Sequence, residues 1–345
     1  MSHEEKDWSN LHPVSPRKQE GPDQDPFSKA FNEKRFSRRG FIGGVLGSAA
    51  LLAADRLSGE IMWHSVPTDV KVLGEHQDYY TDEVWVIVTG LGVQSGHGIA
   101  TVLKPAIEQI GAVSYVQYAD DGLDIPALAE HINQLQRQRG FSAVNFYSHS
   151  MGGTTTLNLL PLLSKSIEVN RMIFDCSPFT KRDVKRDAFW ANVIGHTPEG
   201  FKGGFISKLA FEGYNNVGPH SNDQLSLLQQ LKEGWRIAKT GVSSTVWLDQ
   251  MRLLVQSDPD KFRQFVPKGK PKAFIRPYNP NADGTVFVKS AQDGWDGYLG
   301  PVDHLLIDGS SHANPTQRPD LYAKTIYNWL YPPPEPRPTK GFYPI

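Results

Sequence analysis

At residues 142–153 the chain reads Ser-Ala-Val-Asn-Phe-Tyr-Ser-His-Ser-Met-Gly-Gly, an apolar run that breaks abruptly into small residues. This pattern reads as a buried strand, a tight turn and the start of a helix. Ser148, Ser150 and Gly152 stand at alternate positions. That is the small-x-Ser-x-Gly form of a reversal so sharp that bulky side chains two residues either side of the central serine would collide. Such a turn holds the Ser150 hydroxyl clear of its neighbours at the carboxyl edge of a sheet, while the following helix aims its first N–H groups at the same place. The commoner residue at position 148 is glycine, and a hydroxymethyl group is small enough to stand in. On these residues alone a second reading stays open, in which Ser148 and Ser150 only cap an ordinary helix.

A sheet edge requires a sheet, and from about residue 60 the sequence alternates between strand and helix patterns. Val70–Leu73 reads as a short first strand, and Glu83–Thr89 as a continuous apolar strand covered on both faces and ended by Gly90. A helix is expected from about Gly98 to Ile110, a strand over Ala112–Ala119, and a helix capped by Asp124 that runs to Arg139 on Ile125, Leu128, Ile132 and Leu135. The elbow strand (Ser142–Tyr147), a helix over Met151–Leu163 and a strand over Arg171–Phe174 follow. The rhythm then stops. Between about 177 and 271 there are two expected helices, Ser221–Lys239 and Ser244–Gln256, and many aromatic residues, which reads as a mainly helical cap inserted over the sheet edge. Strands return at Lys272–Arg276 and His304–Ile307, and a closing helix runs from about Asn314 to Leu330. Short strands separated by helices imply right-handed crossovers, so the expected fold is α/β, a doubly wound, mostly parallel sheet over residues 60–331 with the cap inserted.

The flanks differ in character. Residues 1–34 are polar and proline-punctuated, too poor in aliphatic side chains to offset chain entropy, and are expected to be disordered. The tail, 332–345, is proline-rich and expected to be extended. Between the polar segment and the domain, at 35–57, a basic cluster precedes the apolar and small residues Phe41–Ala54, a pattern that fits a signal peptide better than a membrane span. Ser37-Arg-Arg-Gly-Phe-Ile42 resembles the twin-arginine export signal. The resemblance implies a partner, the twin-arginine export machinery, and delivery of an already folded protein to the periplasm, cell envelope or medium. Ser48-Ala-Ala50 is a weak cleavage site, so retention as an anchor, with membrane association through residues 41–54, stays open.

Composition narrows the function classes. The 36 basic and 37 acidic side chains of the 345 residues leave a formal charge of −1, without the net basic surface of an electrostatic nucleic-acid binder. Cys176 is the only cysteine, which excludes an intrachain disulfide and a Cys-based zinc site. Neither a phosphate loop nor a dinucleotide fingerprint is present, since Gly90-Leu-Gly92 lacks a third glycine and a downstream acid. No cofactor or metal is expected.

A serine hydroxyl is a poor nucleophile unless a base takes its proton and an acid steadies that base, so the elbow asks for two further residues. Asp283 lies in Pro277–Val286, directly after the strand ending at Arg276, and His312 in Asp308–His312, directly after the strand ending at Ile307. Ser-His-Ser-Met-Gly-Gly at 148–153, Asp-Gly-x-Val at 283–286 and a histidine loop ahead of the last helix, in that order, make residues 65–331 resemble the α/β-hydrolase superfamily. The resemblance implies Ser150 as nucleophile, His312 as general base and then acid, and Asp283 as its orienting partner. It also implies an oxyanion hole made by the N–H of Met151 and one from Thr89–Gly92, with Leu91 first and Gly92 second. The expected activity is that of an exported serine hydrolase on a small-molecule or lipid carboxylic ester, with an acyltransferase or a non-catalytic envelope binding protein as alternatives.

Other residues compete for these roles. Asp175, after the strand that follows the elbow, is an alternative acid. His149 reads as packing beneath the elbow, and His304 sits at the wrong end of its strand. Asp293 and Asp296 fall in a later segment, His97 beyond Gly92 is close enough in sequence to reach substrate, and Asp120-Asp121 reads as a solvated pair ahead of a helix.

Overall fold

The computed structural model describes residues 66–74, 82–185, 243–310, 312 and 315–332. The expectations for 1–34, the 35–57 export segment, the helix at 221–239, much of the cap and the tail beyond 332 lie outside the described residues.

Seven strands form one sheet: β1 (Asp69–Val72), β2 (Glu83–Val88), β3 (Ala112–Gln117), β4 (Ala143–His149), β5 (Glu168–Asp175), β6 (Lys272–Pro277) and β7 (Asp303–Ile307), in the order β1-β3-β2-β4-β5-β6-β7. β1 is antiparallel to β3 and every other pairing is parallel. The helices of the described residues are α1 (His97–Ile107), α2 (Ile125–Arg139), α3 (Gly152–Leu159), α4 (Ser244–Gln256), α5 (Val288–Leu299) and α6 (Pro319–Leu330). No helix of the described residues is long and apolar enough to cross a membrane.

The central strands explain the apolar runs. Trp85, Val86, Ile87 and Val88 of β2 are fully buried, as are Val144 and Phe146 of β4, because helices cover both faces of a parallel sheet. α1 packs with α6 and α2 with α3, and the buried faces of α1 and α2 carry Leu103, Ile107, Leu128 and Ile132. Asp124 caps α2 by accepting the Ala127 N–H at 2.8 Å, and Gly140 ends it at φ +76°, so both ends fall where capping chemistry puts them.

Two expectations shift and one helix is new. α3 is shorter than anticipated because Pro161 turns its end into a 3-10 turn over Leu160–Leu162. The closing helix starts at Pro319 and not near Asn314, since a residue preceding proline, here Arg318, is pushed out of helical geometry. α5 was not anticipated. Its core face, Val288, Ala291, Trp295, Tyr298 and Leu299, is interrupted in sequence by Gly294, where an added Cβ would come within 2.5 Å of the Phe179 ring.

The strand order sets the location of the site. The chain leaves β2 toward β3 on one side and leaves β4 toward β5 on the other, so a crevice opens outside the carboxyl ends of β2 and β4, where loops diverge. Val88 and Ser148 are register partners at this point, which puts Gly90 and Ser150 on facing loops.

Candidate active site

The turn after β4 carries the strain its sequence pattern implies. Ser150 has φ +52°, a left-handed conformation that a non-glycine residue adopts only when its surroundings hold it. Its N–H donates to the Asp175 carbonyl at 2.8 Å and its own carbonyl accepts from Gly153 N–H at 3.2 Å. The neighbours must be small. A Cβ at Gly152 would lie 2.4 Å from the Val88 carbonyl oxygen, one at Gly153 2.7 Å from the Ser177 hydroxyl, and one at Gly90 2.6 Å from the Ser150 Cβ. Ser148 fits because its hydroxyl hydrogen-bonds Thr156 Oγ1 at 2.7 Å, while its carbonyl accepts from Ser177 Oγ at 3.0 Å.

Three loops then converge. His312 Nε2 lies 3.0 Å from Ser150 Oγ, and His312 Nδ1 lies 2.8 Å from Asp283 Oδ2. Asp283 is fully buried and its other oxygen accepts the Thr285 and Val286 N–H groups at 2.7 and 2.8 Å. A carboxylate with these partners can only accept, so Nδ1 carries the imidazole proton and Nε2 is left to accept from the serine hydroxyl. Burial by itself would raise the Asp283 pKa. The hydrogen bond to His312, the attraction of its ring and the two backbone N–H groups outweigh that and hold it below the ordinary carboxylate value.

The acid loop is braced from outside the sheet. Lys185 Nζ donates to the Asp283 carbonyl, Lys185 N–H donates to Thr285 O at 2.9 Å, Phe287 N–H donates to Asp183 O at 2.7 Å, and Val184 forms a bridge to Val286. Asp183 in turn accepts from Phe179 N, Thr180 N and, at 2.6 Å, Ser290 Oγ. Sequence reasoning missed this brace. The spacing of Thr180-Lys-Arg-Asp183, a capping box, was its one visible sign.

The competing candidates are engaged elsewhere. Asp175 is buried and accepts from Tyr147 OH at 2.5 Å, His149 Nδ1 at 3.0 Å and Tyr322 OH at 3.3 Å, so its carboxylate serves the packing beneath the elbow. His149 points the same way, its ring centroid 5.3 Å from that of His312. Burial first, and then the Asp175 charge, push the Tyr147 hydroxyl pKa well up. His304 is at the opposite end of β7 and pairs with Asp296 at 2.9 Å, while Asp293 pairs with Lys289 at 2.6 Å. His97 is exposed at the start of α1, edge-on to Tyr115 at 5.3 Å. Asp120 accepts from Gln94 Nε2 at 2.7 Å and Val66 N at 3.2 Å, which makes it a loop tie, and Asp121 is exposed.

Of the two oxyanion choices after β2, Gly92 is occupied: its N–H donates to Gln250 Oε1 of α4 at 3.0 Å. The Leu91 N–H and that of Met151, which caps α3, have no acceptor among the described residues. Among those residues the one grouping of three possible metal ligands is Cys176, Asp283 and His312, with ligand atoms within 4.8 Å of one another. Sequence spacing hid it, because the three come from different loops. Two of its members already share a proton, so a cation there would displace that proton.

No protein-family model matches the sequence, and no curated protein matches it. Solved structures do. A carboxylesterase from Nitrososphaera gargenis superposes with TM-score 0.52 at 11% identity, covering 77% of this chain and 97% of that one. A hydrolase from Oleispira antarctica gives 0.51 at 11%, covering 76% and 94%. A bromoperoxidase from Bacillus anthracis gives 0.50 at 17%, also covering 76% and 94%. At these identities the likeness is one of fold, and the fold is that of the α/β hydrolases, with a mostly parallel seven-stranded sheet flanked by helices.

Proposed function

We propose that this chain is a serine hydrolase that cleaves a carboxylic ester, or a related acyl bond, through an acyl-enzyme. The observation that carries the reading is the unbroken hydrogen-bond chain from Ser150 through His312 to buried Asp283 at a strained turn. Ser150 Oγ attacks the acyl carbon while His312 Nε2 takes its proton, and Asp283 holds the tautomer and steadies the imidazolium. The oxyanion is met by the N–H groups of Met151 and Leu91. As the tetrahedral adduct collapses, His312 returns the proton to the leaving alcohol and the acyl group stays on Ser150. Water, deprotonated by the same imidazole, then releases the carboxylate and restores the enzyme.

The arginine pair at Arg38-Arg39 supports export by the twin-arginine route, which makes an envelope or extracellular ester the substrate class of choice. The test is a fluorophosphonate probe together with chromogenic esters of graded acyl length. Wild type labels and turns over, and Ser150→Ala does neither, with kcat falling about 10⁶-fold. Equal turnover by Ser150→Ala would refute the reading.

A further inference from the structure

The oxyanion donor assigned to Leu91 sits in a loop with little of its own to hold it. Leu91 is half-buried, Gly92 and Val93 are exposed, and Gly92 is at φ +79°. The turn's own hydrogen bonds, from Val93 N–H to Gly90 O and from the Thr89 hydroxyl to Val93 O, are both long at 3.4 Å. An N–H direction in such a loop is free to swing unless something outside it fixes the neighbouring peptide.

That outside contact comes from α4. Gln250 is fully buried and its Oε1 accepts the Gly92 N–H at 3.0 Å across 158 positions of sequence. Its Nε2 is also buried and finds no acceptor among the described residues, so the contact to Gly92 is the polar engagement this side chain makes there. The residues on either side extend the grip. Asp249 Oδ2 accepts the Leu123 N–H at 3.2 Å, and Met251 is buried against the Leu91 side chain. At the start of α4, the Ser243 hydroxyl donates to the Asp120 carbonyl. The helix is thereby anchored on the loops that follow β2 and β3.

We propose that Gln250 is a positioning residue for the oxyanion hole: its amide carbonyl pins the Gly92 peptide and so aims the preceding Leu91 N–H at the developing oxyanion. The inference rests on the serine-hydrolase reading above. Gln250 makes no hydrogen bond to Ser150 or His312 among the described residues, so its role runs through the loop. Through α4, the stretch between β5 and β6 therefore contributes to the chemical step.

Gln250→Met, similar in length but without an acceptor, and Gln250→Glu, which keeps one, separate this role from packing. In the full-length protein Gln250→Met is expected to lower kcat about tenfold to a hundredfold, in the range of a weakened oxyanion donor. KM should stay within about twofold, since only the transition state loses an interaction. Affinity for a trifluoromethyl ketone, which forms the oxyanion adduct, should fall by the same factor, while the matching non-fluorinated alcohol binds as before. The pH profile should not move, because the His312–Asp283 pair is untouched. Gln250→Glu should recover most of kcat, and both variants should be melted to confirm folding. A folded Gln250→Met with wild-type kcat, or one impaired only in KM, overturns the assignment. So does a folded Gln250→Glu that is no better than Gln250→Met. Ser150→Ala in the same ester panel reports separately on the hydrolase reading, so the two can fail independently.

Discussion

Position 148 shows how a departure from the usual elbow is tolerated. The Ser148 hydroxyl occupies space that glycine would leave open and fills it with a hydrogen bond to Thr156. Ser148→Ala should therefore cost about 1 kcal/mol in urea-unfolding free energy by leaving that threonine without its partner. Ser148→Leu should not yield folded protein. Gly152 has no such latitude, because a Cβ there meets backbone, the Val88 carbonyl at 2.4 Å, and not a side chain able to move aside. Gly152→Ala is expected to cost about 1–3 kcal/mol and to lower fluorophosphonate labelling with it. That Ser150, Asp283 and His312 converge was legible in the sequence because each lies in the loop after an apolar strand, in an order that resembles a known pattern. Lys185 and Gln250 were not. Their partners stand 98 and 158 positions away, and neither residue type nor spacing announces such a contact.

The element that decides the acid's geometry is the brace formed by residues 183–185 and 285–287. If it holds Asp283 in place, Lys185→Met should lower kcat about tenfold through looser orientation of His312, with KM near wild type. Steady-state kinetics beside a melting curve would separate this from general unfolding. Elements with strong local chemistry were readable: α2, with Asp124 at one end and Gly140 at the other, and β2 and β4 as mainly apolar, buried runs. α5 is harder to read because Gly294 and Gly297 interrupt its helical pattern, and at Gly294 the missing Cβ admits the Phe179 ring against the helix. The antiparallel direction of β1 beside β3 has no counterpart in its four residues.

Across the molecule, stability should depend on pH at both ends of the scale. Asp283 has a lowered pKa in the fold, so the unfolded chain binds its proton more readily. The stability it contributes is complete at neutral pH and is lost as pH falls below the ordinary carboxylate value of about 4. Urea midpoints measured from pH 5 to pH 2 should decline more steeply for wild type than for Asp283→Asn. At the alkaline end, burial pushes the hydroxyls of Tyr118, Tyr147 and Tyr322 up, so the fold keeps protons that the unfolded chain gives away. Stability should fall above about pH 10, and phenolate absorbance from these residues should rise only with unfolding.

The central claim is that Ser150 carries the acyl group between the two halves of the reaction. Intact-mass and peptide spectra taken milliseconds after mixing with a slowly deacylated p-nitrophenyl ester test it most directly. The account predicts one acyl mass added to the peptide containing Ser150, formed as fast as the nitrophenolate burst and absent in His312→Ala. Ester turnover at the wild-type rate with no adduct on that peptide, or with the adduct on another residue, would contradict it.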